Sequence, residues 1–294
     1  MSANSVPMDQ YDDGIAAELY DAYVGCRPDA YNQWICKNLK EHNCETVLDA
    51  ACGTGIDSVM LINQGFQVTS TDYSDQMLKY AFKRRWTNRK DERFENWVIE
   101  QANWLTLADD LENAGVAAVR TGFDAVICLG NSFAHLPDTD GDQRSHKRAM
   151  ANLASMVKPG GILLIDHRNY DGILKTGVAP QGRTPHINSQ FVRDIKCFNL
   201  FVDGKPASVT LEYVFDMEKL LKARNGFSKS DLKKCNPKFR LTYYPHERET
   251  FTAMLEEAFG PDCKYEVFAD FSKLGELESP AYYHYLIQKP ALNQ

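Results

Sequence analysis

A glycine-containing turn and an acidic residue are spaced as in sites that bind an adenosine. The stretch Asp49-Ala50-Ala51-Cys52-Gly53-Thr54-Gly55 closes a short β-branched run, and Asp72 ends the next such run. Glycines in this turn allow the backbone to approach a ligand, because no Cβ intervenes. A carboxylate at the end of the second strand can accept two hydrogen bonds from a ribose diol. The alternative is a plain strand-turn-helix connection followed by a surface aspartate.

The turn lacks one part of the dinucleotide-binding pattern. That pattern requires a third glycine near Ser58, and none is present there. A pyrophosphate group is therefore not favoured. Since an adenosine without a clear pyrophosphate remains, S-adenosylmethionine fits these residues better than NAD.

Polar residues also follow two later apolar runs. Asn131 comes after the run 123–129, and His167 and Arg168 come after the run 161–166. Ligands bind at the carboxyl edge of open parallel sheets. These residues are therefore candidates for the same site.

The elements that position these residues alternate between helices and strands. Apolar residues at helical spacing predict helices, and short β-branched runs predict strands. A βαβ unit opened by a glycine turn implies a parallel sheet with right-handed crossovers. The predicted order is helix 13–24, helix 29–42, strand 46–51, helix 56–64, strand 66–72, helix 75–90, strand 97–100, strand 123–129, helix 146–157 and strand 161–166.

The pattern changes after Tyr170. Runs 191–202 and 208–215 alternate like antiparallel strands around Asp203-Gly204, a hairpin turn signal. The segment 217–237 is charged and rich in Ser and Lys, which indicates an exposed excursion. The remaining predicted elements are strand 238–244, helix 248–259, strand 265–271 and strand 282–288.

We therefore predict an α/β protein with a Rossmann-like sheet, helices on both faces and an inserted antiparallel β lid. The predicted divisions are 1–170 for the N-terminal helices and the cofactor-binding core, 171–243 for the lid, and 244–294 for the strands that complete the sheet.

The composition limits the possible partners and compartments. The net charge of −7 disfavours binding to nucleic acid, which depends on basic residues. No run approaches the roughly 20 apolar residues of a membrane span, and Met1 to Gln10 has no apolar secretory core. The eight cysteines form no CxxC pair and no Cys/His cluster with zinc spacing, so we predict no metal site. A cytoplasmic protein with reduced thiols is expected.

Several longer blocks make the chain resemble the glycine N-methyltransferases. The similarity extends from about Gln10 to the C-terminus and weakens across 183–237. The blocks are VLDAACGTGIDS at 47–58, MLKYA at 77–81, ANWLTL at 102–107, DAVICLGNSFAHL at 124–136, DHRNY at 166–170 and KFRLTYYPH at 238–246.

The resemblance implies a class of S-adenosylmethionine-dependent methyltransferase and places its cofactor-binding residues. It assigns the methionine carboxylate of the cofactor to Arg27 and the ribose to Asp72. Ala51 backs the cofactor, Met77 packs beside the adenine, and Leu129 supplies backbone contacts. Asn103 and Trp104 line the adenine pocket. Tyr20 stands where the family often has a tryptophan.

The resemblance also implies the substrate-binding residues. Arg168 is expected to bind the carboxylate of glycine, and Asn131 is expected to face the substrate and the amine of the cofactor. Four tyrosines are expected around the reacting methyl group, at Tyr11, Tyr23, Tyr213 and Tyr243. His135 and His167 are expected to act as supporting residues.

The sequence departs from the animal members of the family near the substrate. The arm before Tyr11 is short, and His186-Ile187 replaces a tyrosine pair. A glycine/sarcosine methyltransferase that adds a second methyl is therefore an alternative. A non-catalytic protein that senses S-adenosylmethionine or folate is a further alternative. The resemblance also implies a homotetramer and possible inhibition by folate.

Overall fold

The computed structural model describes residues 10–11, 17, 20, 24, 27–180, 186, 190–223 and 238–291. Of the predicted helix 13–24, only Ala17, Tyr20 and Val24 are described, and all three are helical. Tyr23 and most of the segment 217–237 lie outside the described residues.

The helices of the described chain lie mostly where the apolar spacing predicts them. Two short 3-10 turns cover Ala117–Arg120 and Ser132–His135. No helix among the described residues is both long and apolar enough to cross a bilayer. The helices are α1 (Asp29–Glu41), α2 (Ile56–Asn63), α3 (Asp75–Thr87), α4 (Glu92–Glu95), α5 (Leu107–Asn113), α6 (Arg144–Met156), α7 (Tyr170–Thr176), α8 (Met217–Ala223) and α9 (Arg248–Phe259).

Eight strands form the central sheet and three form a second sheet. The strands are β1 (Thr46–Asp49), β2 (Gln67–Asp72), β3 (Val98–Gln101), β4 (Phe123–Cys128), β5 (Val157–Arg168), β6 (Val192–Val202), β7 (Lys205–Phe215), β8 (Lys238–Tyr243), β9 (Lys264–Ala269), β10 (Ser272–Lys273) and β11 (Tyr282–Gln288). The order in the central sheet is β10-β9-β11-β5-β4-β1-β2-β3. Strands β1 to β5 pair in parallel, and β9, β10 and β11 pair in an antiparallel manner.

The strand order changes sides between β1 and β4, which are neighbours in the sheet. Strands β1, β2 and β3 extend to one side, whereas β4 and β5 extend to the other. The helices that follow β1 and β4 therefore leave from a shared crevice. Open parallel sheets bind ligands at this crevice, beyond the carboxyl ends of the strands.

Alternating residues of the central strands enter two separate cores, one on each face of the sheet. On β1, Leu48 packs in the core with α5, α6 and α9, and Val47 packs in the core with α1, α2 and α3. On β4, Val126 and Ala125 divide in the same way. Successive side chains of a strand point to opposite faces, so a strand buried on both faces needs a continuous apolar run. The predicted Rossmann-like sheet with helices on both faces is confirmed.

The second sheet has the order β6-β7-β8 and is antiparallel. Its hairpin turns at Asp203 and Gly204, which have φ of 50° and 76°. Two successive positive φ values are typical of the tight turn that suits twisted strands. The inner face of this sheet packs on Ala134, Tyr170 and Ile173 of the core. The predicted antiparallel β lid is confirmed in architecture, and we call these three strands the lid sheet.

Several local predictions differ from the structure, and three of them lie close to the lid sheet or to the strand that leads to Arg168. Helix α7 begins the segment predicted to be β-rich, and Asn169 caps it by accepting a hydrogen bond from the Gly172 N–H at 2.9 Å. Strand β5 begins at Val157, which was predicted to end a helix, and it includes Lys158 to Gly160, which were predicted to separate that helix from the strand. Helix α8 occupies the start of the predicted exposed excursion. In each case the tertiary partners outweigh weak local propensity.

The glycine turn after β1 depends on close packing against a tryptophan. Gly55 has φ of +80°, and a Cβ there would lie 2.9 Å from the indole of Trp97. The same indole donates to the Ser70 hydroxyl at 2.7 Å, which holds the ring in place. Gly115 has a similar φ of +78°, but a Cβ on Gly115 would meet no heavy atom within 4 Å.

Gly55→Ala is expected to destabilise the fold more than Gly115→Ala. Positive φ alone costs about 1–2 kcal/mol in Gly115→Ala. Gly55→Ala carries the same cost plus about 1–3 kcal/mol from overpacking against Trp97. Urea unfolding of both variants measures the difference. Equal losses of unfolding free energy would show that the contact with Trp97 is unimportant.

Candidate cofactor and substrate site

One large cavity opens at the crevice between β1 and β4 and extends under the lid sheet. Its empty volume is about 1180 Å³ with the open mouth included. Eleven of the residues predicted for the site line this cavity, namely Tyr11, Tyr20, Arg27, Ala51, Asp72, Met77, Asn103, Trp104, Arg168, Tyr213 and Tyr243. The fold therefore brings the glycine turn, the acidic residue and the arginine into one space.

Asp72 organises the wall made by β1 and β2. One carboxylate oxygen accepts from the Gly53 N–H at 2.8 Å, and the other accepts from the Ser74 N–H at 2.9 Å. The Ser74 hydroxyl caps α3 by accepting from the Met77 N–H at 3.4 Å. Asp72 thus ties the glycine turn to the start of α3. Because a carboxylate oxygen can accept more than one hydrogen bond, Asp72 can also accept from ligand hydroxyls.

An apolar wall lies beside this turn. The indole N–H of Trp104 donates to the Ala50 carbonyl at 2.6 Å, and its ring stacks on Phe133 at 5.8 Å. Asn103 uses its side-chain oxygen locally, to accept from the Leu105 N–H at 2.9 Å. Flat surfaces of this kind suit an aromatic base. Asn103 and Trp104 are held in place before any ligand binds.

Arg27 forms an ion pair within the protein, and its predicted contact with the cofactor carboxylate stays a prediction. Its Nε and Nη2 donate to the two carboxylate oxygens of Asp57 at 2.9 and 2.7 Å, and its Nη1 donates to the His186 carbonyl at 3.3 Å. Burial lowers the pKa of Arg27, but the neighbouring Asp57 outweighs this and raises the pKa well above its ordinary value. The two guanidinium nitrogens Nε and Nη2, which could bind a carboxylate side by side, are paired with Asp57. Arg27 is therefore held in a fixed position on the cavity lining, with its charge balanced by Asp57.

Asp166 shapes the turn that follows β4. Its two carboxylate oxygens accept from the Gly130 N–H at 2.7 Å and the Asn131 N–H at 2.5 Å. Both residues have positive φ, 80° and 61°. Burial raises the pKa of Asp166 to about 6, although these N–H groups and Arg27 lower it. The carboxylate holds a left-handed turn that the backbone would not otherwise favour.

Asn131 lies beneath the cavity rather than on its lining. It is 1% exposed, its amide donates to the Tyr170 hydroxyl at 2.9 Å, and its carbonyl oxygen accepts from the Arg168 N–H at 3.0 Å. Leu129 is also buried and not on the lining, and its carbonyl accepts from Ser132 at 2.8 Å. The predicted direct contact of Asn131 with substrate remains a prediction. What the structure shows is that Asn131 positions Arg168.

Arg168 enters the cavity from the end of β5 and meets the lid sheet. Its Nη2 donates to the Tyr213 hydroxyl at 3.0 Å, and Tyr213 and Tyr243 share a hydrogen bond of 3.2 Å. The guanidinium also lies 4.9 Å from the centre of the Tyr282 ring. A cation on an aromatic face is stabilised by the ring's electrons. The arrangement presents a buried cation among hydroxyl groups.

The N-terminal residues close one side of the cavity. The Gln10 amide donates to the Thr242 carbonyl at 2.9 Å and accepts from the Thr242 N–H at 2.7 Å, which attaches it to β8. Its nitrogen also lies 3.1 Å from Nδ1 of His135. Burial and the charge of Arg168 lower the pKa of His135 to about 4, so this imidazole is neutral at pH 7. Tyr11 packs edge-on to Tyr20 at 5.8 Å.

The cavity lining also includes residues that are absent from the predicted site, among them Gln10, His135, His186 and Tyr282. The resemblance assigns His135 only a supporting role, and His186 stands out in the sequence only as a departure from the animal members. The Tyr282 side chain reaches the cavity because β11 places Tyr282 opposite Arg168. No local signal in the sequence marks that pairing, since the two residues are far apart along the chain.

Comparison with known proteins identifies the family of this chain. A family model described as a methyltransferase domain matches residues 47–161. The glycine N-methyltransferase of Rattus norvegicus is 48% identical over 98% of this chain and 95% of its own length. The chain belongs to the glycine N-methyltransferase family. The human glycine N-methyltransferase is 45% identical over the same shares of both chains.

Other relatives are more distant. The glycine/sarcosine N-methyltransferase of Parasynechococcus marenigrum is 39% identical over 52% of this chain and 48% of its own length. A solved S-adenosylmethionine-dependent methyltransferase from Clostridium acetobutylicum superposes with a TM-score of 0.63 at 18% identity, over 94% of this chain and 98% of that one. The latter confirms the fold. The predicted membership of the family is confirmed by the animal relatives.

Asp72→Asn is expected to weaken the binding of S-adenosylmethionine by about 10- to 100-fold, since a charge-assisted hydrogen bond contributes about 1.5–3 kcal/mol. The amide also points an N–H group at the backbone N–H of Gly53 or Ser74. Isothermal titration calorimetry measures the change. Asp75→Asn is the matched control, because that carboxylate is exposed on α3. Wild-type affinity in Asp72→Asn would remove the ribose assignment.

Proposed function

We propose that the protein transfers the methyl group of S-adenosylmethionine to the amino group of glycine, giving sarcosine and S-adenosylhomocysteine. The observation that carries this proposal is the buried guanidinium of Arg168 on the cavity lining, held by Tyr213 opposite the glycine turn. A cation in this position suits a small substrate with a carboxylate. The family of the chain points to the same substrate.

The residues present fit S-adenosylmethionine. Asp72 offers acceptor positions for the two ribose hydroxyls, and the apolar surface of Met77 and Trp104 suits the adenine. Arg27 supplies a positive charge for the carboxylate end, although Asp57 holds two of its donors. When bound, the cofactor supplies a methyl group on a sulfonium, which is open to attack by an amine.

The chain's own residues orient the substrate and exclude water. Arg168 binds the carboxylate of glycine and so directs the amino group away from β5. The Tyr213 and Tyr243 hydroxyls offer acceptors near the amine, which favours a fixed direction of its lone pair. Positive charge moves from sulfur to nitrogen, so no strong base is needed in the transfer itself. Holding the two reactants in line contributes about 7–11 kcal/mol in well-oriented reactions.

A second methylation is an alternative that one feature favours. His186 lines the cavity where the animal members of the family have a tyrosine pair. A different side chain at position 186 changes the space available around the amine of the substrate. The glycine/sarcosine relatives match about half of this chain, which supports the alternative less than the animal relatives support the first proposal.

Further properties are proposed from the family. We propose a cytoplasmic homotetramer that folate inhibits. Exposed apolar side chains on the lid sheet support assembly, since Phe198, Leu200, Phe201 and Val202 are each about half exposed. Light scattering that gives the mass of one chain would contradict the tetramer.

Products separate the alternatives. The protein is incubated with S-adenosylmethionine and glycine, sarcosine or dimethylglycine, and products are identified by mass spectrometry. Sarcosine as the sole product supports the first proposal, and dimethylglycine supports the second. The absence of product from all three substrates would leave only a non-catalytic binding protein.

Arg168→Lys is expected to raise the KM for glycine by about 10- to 100-fold, because one charge-assisted hydrogen bond of about 1.5–3 kcal/mol is lost. A planar fork becomes a single ammonium that cannot bind a carboxylate through two parallel bonds. Steady-state kinetics at saturating cofactor measure the effect. Arg240→Lys, an exposed residue paired with Glu212, is the matched control. An unchanged KM would place Arg168 outside the substrate site.

A further inference from the structure

Three potential metal ligands meet beside the cavity, although they are distant in the sequence. Asp166 lies near the end of β5, His186 lies in the segment between α7 and β6, and His284 lies on β11. Their exposed fractions are 0%, 0% and 1%. One ligand atom of each lies within 4.8 Å of the other two. The fold therefore assembles a buried group of one carboxylate and two imidazoles.

The two imidazoles contact each other directly. Nε2 of His186 lies 2.6 Å from Nε2 of His284, and the ring planes differ by 16°. Nδ1 of His186 lies 3.3 Å from a carboxylate oxygen of Asp166. At this distance only one hydrogen atom fits between the two ring nitrogens. One nitrogen therefore presents a lone pair to the other ring.

Hydrogen bonds do not account for all of these nitrogens. In the described part of the chain, Nδ1 of His186 and Nδ1 of His284 have no hydrogen-bond partner of good geometry. Leaving a buried polar atom without a partner is unfavourable, because the atom loses its hydrogen bonds to water. An imidazole nitrogen that holds no proton can donate its lone pair to a metal ion.

Aromatic rings surround the pair and exclude water. Tyr282 stacks on His186 at 3.9 Å, and Tyr31 packs edge-on to it at 5.2 Å. Phe271 lies 4.3 Å from His284, and Trp34 lies 5.3 Å from it. A simple packing role would be filled as well by two apolar rings. The contact between the two ring nitrogens inside this aromatic shell indicates that the nitrogens bind a ligand.

We propose that Asp166, His186 and His284 form a binding site for a divalent transition-metal ion, with Zn²⁺ as the ion of first choice. Two imidazoles and a carboxylate are a donor set that zinc uses with three protein ligands and one open position. Mg²⁺ and Ca²⁺ are disfavoured, because they prefer oxygen ligands. Of the three ligands, His186 lines the cavity, so the ion would lie next to it.

The surrounding charges are compatible with a cation. The Asp166 carboxylate provides one negative charge and keeps lone pairs beyond the two N–H groups that it accepts. Asp57 compensates Arg27 at 2.7 Å. Arg168 remains as a positive charge nearby, so the affinity is expected to be moderate. An ion here would join His186 to β5 and β11.

The test is metal binding, which is independent of methyl transfer. The full-length protein is titrated with Zn²⁺ against a chromophoric chelator, and with Co²⁺ followed by absorption spectroscopy. We expect one Zn²⁺ per chain. We also expect visible Co²⁺ bands of a four-coordinate site, without the near-ultraviolet charge-transfer band of a thiolate ligand. This second criterion excludes binding by the free cysteines.

His284→Phe removes one ligand and keeps an aromatic ring in an aromatic shell. We expect the Kd for Zn²⁺ to rise by at least about 100-fold, since loss even of a group that supports a ligand costs about 10- to 100-fold. His246→Phe is the matched control, because that histidine is equally buried but lies in a different aromatic cluster with Phe133 and Phe251. It is expected to keep the wild-type Kd.

Two outcomes would overturn the proposal. One is a wild-type protein that binds Zn²⁺ no more tightly than His284→Phe does, and the other is a thiolate band in the Co²⁺ spectrum. Circular dichroism and thermal unfolding establish that each variant is folded. If His284→Phe does not fold, His284→Gln replaces it. Added Zn²⁺ is then also expected to raise the Tm of the wild type and not that of the variant.

Discussion

The hydrogen bonds from Gly130 and Asn131 to the buried carboxylate of Asp166 position most of the substrate side of the cavity. They hold two consecutive residues in the left-handed region, where the chain turns sharply at the end of β4. The turned Asn131 then bonds to Tyr170 and to the backbone of Arg168. One charge buried at the end of β5 thus connects two strands, the start of α7 and the arginine. Its raised pKa records the cost of this burial.

Asp72 has the matching role on the cofactor side, at the end of β2. It accepts from Gly53 and Ser74 and so holds the glycine turn against the start of α3. Asp72 on β2 and Asp166 on β5 lie on either side of the β1/β4 pair, where the strand order changes sides. Backbone turns held in this way lose little further freedom when a ligand binds, and such preorganisation reduces the entropic cost of binding.

The lid sheet provides the tyrosine hydroxyl groups that lie next to Arg168. Arg168 belongs to the core, but its guanidinium bonds to Tyr213 of the lid sheet, and Tyr243 extends that network. The cavity lining is therefore shared between the two sheets, with Arg168 from the central sheet and Tyr213 and Tyr243 from the lid sheet. His186, from the chain between α7 and β6, lines the same cavity. The relative position of the two sheets thus sets the shape of this part of the cavity.

The sequence by itself determined the central sheet with the parallel direction of β1 to β5, the lid sheet and the family, because each depends on local patterns. The antiparallel pairing of β9, β10 and β11 was not predicted. A continuous apolar run predicts β4, the Gly53 to Gly55 turn predicts a ligand at β1, and Asp203-Gly204 predicts a hairpin. Only the tertiary structure decided which polar groups meet. Asn131 lies under the cavity, Arg27 is paired with Asp57, and Tyr282 lies beside Arg168. His186 and His284 are nearly a hundred residues apart, yet their nitrogens are in contact. Periodicity encodes which face of an element is buried, but the pairing of distant side chains depends on the order and register of the strands.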